Sequence, residues 1–339
     1  MNERAVWVDY SKAIGIMLVV YGHVIRGVYN SSIPMNAKFY ELSNNIVYSF
    51  HMPLFFFLAG LYFFKSLSEK GKVGLIYSKL DSIIYPYIIW SIFQGVIERA
   101  FSEFTNGTLS FFDVFSFLWA PRAQFWFLYY LFIFFFFASF LFSNFSRLYV
   151  TTSFLLCTCL YIFSYSLFEY SSFVLLLLYF IFFLMGIVFS FKHDWSFLKK
   201  ESVVLLLGTN FFALQFIYFY YYGFNYTQHG IHSLYIAAAS VAFVVSLSFY
   251  ISKYRLRLRF LSYLGFGSMA IYLMHIVVSS GVRVFLEKVF DIQNSWFHLF
   301  LGFLFGLLIP LGVFSLINRY GVKYIFSAPM SFCLRGFLK

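Results

Sequence analysis

The chain has 339 residues, of which 62% are hydrophobic, 26% aromatic and only 11% charged. Soluble domains carry about a quarter charged residues, so this composition excludes a soluble globular protein. It points to one integral-membrane domain occupying 1–339. The net charge of +11 implies no nucleic-acid partner, because the basic residues gather along one membrane edge.

The first apolar run carries Lys12 at its start and His23 deep inside it. The run resembles a signal peptide, but it lacks a small-x-small cleavage site and further spans follow, so it is expected to be retained. On an α-helix, positions eleven apart differ by about three turns plus ~20°, which puts Lys12 and His23 on one face, ~16 Å apart along the axis. Lys12 then sits at a membrane edge and His23 near or past the middle of a ~30 Å hydrocarbon layer. Each has an ordinary reading alone: a snorkelling anchor and a hydrogen-bonding packing residue. On one face together they read as a functional pair, since intramembrane ionisable groups are costly and kept for a purpose.

Hydropathy predicts ten spans, near 12–29, 44–64, 82–101, 125–143, 148–167, 172–191, 202–222, 232–252, 262–286 and 296–318, followed by a tail over 319–339. The loops alternate strongly in charge. Eighteen of the twenty-four Lys and Arg residues fall on the side of both termini, leaving Arg26, Lys38, Arg99, Arg122, Arg283 and Lys288 on the other. The expected fold is therefore an all-α polytopic bundle of about ten transmembrane helices with both termini cytoplasmic. The patches 65–79 and 253–259 read as topology signals that touch anionic lipid, or as contacts for a phosphorylated cytoplasmic ligand. Asn106-Gly107-Thr108 carries no weight as a sequon.

The second span holds His51 and Pro53, and the proline predicts a kink beside a histidine facing His23 across a polar cavity. The third begins Lys79-Leu80-Asp81, with Pro86 bending the helix above a cation able to meet an anionic ligand. The fourth begins Gln124-Phe125-Trp126, an aromatic belt by default. The ninth brings His275 to a similar upper-middle depth, although it reads equally as a packing residue against a neighbouring helix. His193, His229, His232 and His298 read as interfacial. Cys157 and Cys159 lie inside an apolar run and Cys333 near the end, which indicates neither a disulfide framework nor a zinc site; no metal is expected. The spans contain almost no acids, and no HEXXH, paired-carboxylate or P-loop pattern occurs, which argues against ion-coupled transport.

These pieces resemble the acyltransferase-3 family of integral-membrane O-acyltransferases, and most of all its fucose-4-O-acetylase-like branch. The matching residues are Lys12 and His23 with Val19-Val20-Tyr21-Gly22, then Phe50-His51-Met52-Pro53 through Gly60. Pro86-Tyr87-Ile88-Ile89-Trp90, Phe125-Trp126-Phe127-Leu128 and Ile271-Tyr272-Leu273-Met274-His275 follow in family order. The resemblance implies an inner-membrane enzyme that takes an acyl group, commonly acetyl from acetyl-CoA, on the cytoplasmic side. It implies delivery of that group to a hydroxyl of a cell-envelope or extracellular polysaccharide or its lipid-linked precursor. The family's essential cation–histidine motif maps onto Lys12 and His23, with Lys12 and Lys79 toward the coenzyme and His51, Trp126 and His275 toward substrate or cavity. Where the family often has a pair of arginines at the start of the third span, only Lys79 stands here, with Asp81 close by. No fused esterase-like domain follows the tenth span, so a stand-alone transferase is implied. A neutral imidazole suits a general base near pH 7 and also an acyl-accepting nucleophile; both stay open. The competing classes are a flippase or polymerase of lipid-linked glycans, which in the second case calls for a large arginine-bearing outer loop absent here, and a solute transporter, which calls for an inverted repeat.

Overall fold

The computed structural model describes residues 6–102, 111–142, 146–167, 172–192, 194–253 and 258–331. Arg255, Arg257, His193, Cys333 and the 106–108 sequon lie outside them. Among the described residues every regular element is helical, as a lipid-facing chain requires, since helices satisfy their own backbone polar groups. In chain order these are α1 (Val6–Tyr29), α2 (Ala37–Tyr48), α3 (His51–Leu61), α4 (Phe63–Lys79), α5 (Tyr85–Ala100), α6 (Phe111–Phe115) and α7 (Trp126–Leu141). Then come α8 (Arg147–Leu167), α9 (Ser172–Ser190), α10 (Glu201–Gln215), α11 (Ile231–Lys253), α12 (Arg259–Phe266), α13 (Ser268–Phe290) and α14 (Ser295–Arg319). Among the described residues eight stretches are long and apolar enough to cross a membrane, and Val174–Ser190 is a shorter apolar helix.

Proline chemistry explains the main departure from the expected spans. The stretch 44–64 is not one kinked helix: α2 stops at Tyr48, Phe50 leaves helical geometry at φ −145°, and α3 restarts at His51. A proline has no N–H, and its ring clashes with the carbonyl four residues back. Here that carbonyl would belong to Ser49, so the helix breaks there and Pro53 falls in the first turn of α3, where it is tolerated. The basic stretch 65–79, expected as a loop, is helical α4, broken only at Gly71 with its left-handed φ of 67°. A wide π-type turn, Leu80–Ile84, then leads into α5 with Pro86 in its first turn.

The chain forms two compact units, each built from separate stretches. The first draws on Met1–Leu18, Glu41–Glu69 and Phe140–Phe266. In it Trp7 and Val8 join Leu54, Phe57 and Leu58 of α3 and Val241, Val244 and Phe249 of α11 in one core. Trp7 stacks on Phe249 at 4.1 Å between centroids. Helix α3 lies against α9 at a close approach made by two glycines. A Cβ at Gly60 would run into the Phe183 carbonyl, and one at Gly186 into the Phe57 carbonyl. Small residues let membrane helices come this near, gaining dispersion where no hydrophobic effect separates lipid from leucine. Gly186→Val should accordingly cost at least about 1–3 kcal/mol of stability, read as a lower melting temperature of the purified protein; an unchanged value would contradict this packing.

The second unit draws on Val19–Tyr40, Lys70–Ser139 and Gly267–Lys339. Helix α13 packs on α14, with Ser279 Oγ donating to the Gly302 carbonyl at 3.2 Å. The segment after α14 is tied down. Tyr85 and Trp90 donate to the carbonyls of Tyr324 (2.7 Å) and Ile325 (3.0 Å). The Asp81 carboxylate accepts from both the N–H and hydroxyl of Ser331 at 2.8 Å.

Candidate functional site: a pair of adjacent imidazoles

Helix α1 runs without interruption from Val6 to Tyr29, so the eleven-residue step from Lys12 to His23 has the regular helical reach of ~16 Å. Both side chains are half-buried. In the second unit the His23 ring lies beside that of His275 on α13, with centroids 5.1 Å apart at 58°. The sequence reading ranks His275 below His51 as a companion of His23. The structure brings His275 to it.

His275 is fully buried, and its hydrogen bonds assign its tautomer. Nδ1 lies 3.0 Å from the Ile271 carbonyl and 2.8 Å from that of Tyr272. Carbonyls only accept, so Nδ1 carries the proton. Nε2 then presents a lone pair, and it has no hydrogen-bond partner among the described residues. An unsatisfied buried acceptor costs about 1–3 kcal/mol, and natural cores rarely retain one without a use.

The turn before His275 is anchored through Tyr272, whose hydroxyl donates to the Gln124 carbonyl. Gln124 and Gln94 exchange amide hydrogen bonds at 2.7 and 3.3 Å. Gln94 also donates to Glu98 at 2.8 Å, and Glu98 pairs with Arg122 at 3.0 Å. Between Arg122 and Gln124, Ala123 adopts a left-handed φ of 47°, a strained conformation for a residue with a Cβ. This network holds α5, α7 and α13 in register around the imidazole. Sequence reasoning meets Gln124 and Tyr272 only as parts of the 124–126 and 271–275 runs, without a role, and passes over Gln94, because an amide in an apolar run carries no period. Arg283, counted among the topology residues, is buried on α13, with Nη1 4.0 Å from Glu287; its i,i+4 spacing to that acid is a legible signal.

The remaining expected site residues have separate settings. His51, in the first unit, is buried, its Nδ1 2.7 Å from the Val47 carbonyl and its ring edge-on to Tyr48 at 4.6 Å. The restart of α3 therefore seats this histidine on the last turn of α2. Lys79, in the second unit, places its ammonium 3.9 Å above the Phe135 ring, a contact worth about 0.5–2 kcal/mol depending on desolvation. Its neighbour Asp81 is taken up by Ser331. Trp126 opens α7, half-buried and edge-on to Tyr130 at 5.5 Å. Cys157 and Cys159 are free thiols on α8.

Fold and site together define a multi-pass helical membrane protein with two imidazoles side by side within its helices. The chain belongs to the acyltransferase-3 family, Acyl_transf_3, whose model, described as an acyltransferase domain, matches residues 5–315. It is also similar to Nodulation protein NolL of Sinorhizobium fredii (strain NBRC 101917 / NGR234), 28% identical over 134 residues. That match covers 37% of this chain and 36% of the relative's own length. No solved structure matches.

Proposed function

We propose that this protein is an inner-membrane O-acyltransferase with both termini in the cytoplasm. It moves an acetyl or other short acyl group from cytoplasmic acyl-CoA to a hydroxyl of a cell-envelope or extracellular polysaccharide, or of its lipid-linked precursor. The observation that carries this reading is the His23–His275 pair inside the helices of a chain belonging to an acyltransferase family.

The donor substrate supplies an activated carbonyl and a thiol leaving group, with its phosphates at the far end of a flexible arm. Lys12 at the basic edge and His23 ~16 Å deeper on the same helix suit such a ligand. Lys79, seated on Phe135, is a second candidate cation for the coenzyme's phosphates. As general base, His23 takes the proton of the acceptor hydroxyl while that oxygen bonds to the acyl carbon. The carbon–sulfur bond breaks, and the proton passes from His23 to the departing sulfur. As nucleophile, His23 would first accept the acyl group itself, release the thiol and then pass the group to the hydroxyl. In either route His23 is transiently positive in a poorly solvated place. His275, held with Nδ1 protonated, offers that charge a buried lone pair one ring away.

Membranes containing the protein should consume acetyl-CoA only when envelope glycan is supplied. Glycan movement or polymerisation without acetyl-CoA consumption would favour the flippase, polymerase or transporter readings. Lys12→Ala should raise the KM for acetyl-CoA about tenfold, the loss of one charge-assisted contact. Lys12→Arg should keep much of the affinity, because the role asks for positive charge. If Lys12→Ala leaves both KM and kcat unchanged, the coenzyme-binding role fails.

A further inference from the structure

The first unit contains a second site that the transfer chemistry does not use. Between α8, α9, the start of α11 and the loop over 222–230 lies a pocket of about 500 Å³ counted with its open mouth. Its walls combine rings with uncharged polar groups: Tyr161, Phe182, Phe224, Tyr226, His229 and Ser233 are among them, and among the described residues no Lys, Arg, Asp or Glu lines it. This end of the unit also lacks basic loops: 222–230 holds no Lys or Arg, whereas Arg147, Lys192, Lys199 and Lys200 flank the opposite ends of α8, α9 and α10.

The pocket is built before any ligand arrives. Asn45, buried in α2, donates to the Phe224 carbonyl and accepts from the Tyr226 N–H, both at 3.3 Å. Gly223, at φ 65°, permits the turn between them and the preceding helix. Phe224 stacks on His232 at 5.2 Å. On the opposite wall the Tyr161 hydroxyl lies 3.2 Å from both His229 Nδ1 and Ser233 Oγ. Burial, with the neighbouring His232 adding to it, pushes the His229 imidazole down to about 4. With Tyr161 facing it from α8 and His232 from α11, this ring is neutral at physiological pH. Its NMR titration midpoint should lie near 4, below the value of about 6.5 at which the unfolded chain binds that proton. Stability is then lost as pH falls from about 6.5 toward 4; a midpoint near 6.5 would contradict the burial.

A ligand for these walls needs an apolar face and an edge of neutral hydrogen-bonding groups. A phosphate or carboxylate would find no cation, and an acyl chain would leave the hydroxyls and imidazoles without a role. A pyranose meets both demands: its C–H groups suit the negative faces of aromatic rings, and its hydroxyls both donate and accept. We propose that this pocket binds one neutral pyranose unit of the acceptor, its C–H face on the aromatic walls and its hydroxyls on Ser233, His229 and Tyr161. The identification of that sugar as acceptor rests on the acyl-transfer reading above; the binding itself does not. The hydrogen bonds that Asn45 makes to the 222–230 loop, and those of Tyr161, hold these walls in place beforehand, which lowers the ordering cost of binding.

The test is saturation-transfer NMR on the full-length protein in nanodiscs, without acyl donor. The probes are the methyl glycopyranosides of glucose, galactose, mannose and fucose, with methyl glucuronoside as the charged control. At least one neutral glycoside should bind saturably, the glucuronoside at least tenfold more weakly, and Phe224→Leu, which keeps volume but removes the ring, should weaken binding at least tenfold. Should that variant fail to fold, Tyr226→Leu carries the same test. No saturable neutral glycoside, equal affinity for the glucuronoside, or unchanged affinity in the ring variant overturns the proposal. Because no donor is present, the failure of acyl transfer would appear in a separate assay and leave this readout intact.

Discussion

His23→Gln is expected to lower acetyl transfer to glycan by about 10²–10⁴-fold if the imidazole is a general base, and to abolish it if the imidazole accepts the acyl group. Glutamine retains hydrogen-bonding capacity at nearly the same size but has no basic nitrogen. The protein should therefore still enter the membrane at normal abundance. The ring is half-buried on α1, within a bundle where an ionisable group would otherwise only cost stability. His23→Ala should have the same outcome. His51→Ala should give a smaller defect if that ring, with Nδ1 at the Val47 carbonyl and its edge on Tyr48, only shapes the cavity or orients the acceptor. Near wild-type transfer by His23→Gln would make the histidine a packing residue.

His275→Gln should reduce kcat by roughly ten- to a hundredfold, the value of one hydrogen bond to a charged group. The KM for acetyl-CoA should stay the same, because His275 is argued to act on His23 rather than on the coenzyme. That split separates it from Lys12→Ala, which should move KM first. A merely structural role would lower the amount of folded protein without dividing kcat from KM. If kcat per folded molecule is unchanged in His275→Gln, the unpartnered Nε2 has no part in the reaction.

What was legible in the sequence was local. The Lys12–His23 step sits within one helix, so helical arithmetic alone places both residues on a face, and α1 is continuous through them. The long apolar runs likewise announce themselves by length, and most expected spans correspond to a helix. Pro53 was readable as a disturbance but not as a full break, because kink or restart depends on whether a nearby turn can take the freed groups. The neighbour of His23 was not readable, since it lies some 250 residues away on α13, and at similar depths Pro53 drew the reading toward His51 instead. Lys79 looked like a free anion receptor because the Phe135 ring beneath it belongs to a distant helix. The glycine contact between α3 and α9 was hidden for the same reason: Gly60 and Gly186 show their meaning only when their helices meet.

The central claim is that His23 carries acyl transfer from acyl-CoA to a glycan hydroxyl. Purified wild-type protein and His23→Gln, reconstituted in vesicles with envelope glycan and acetyl-labelled acetyl-CoA, test it most directly through alkali-labile label on the glycan. The account predicts ester-linked label with the wild type and at least a hundredfold less with the variant. Equal label from both proteins, or none from either while the glycan is moved or extended, would contradict it.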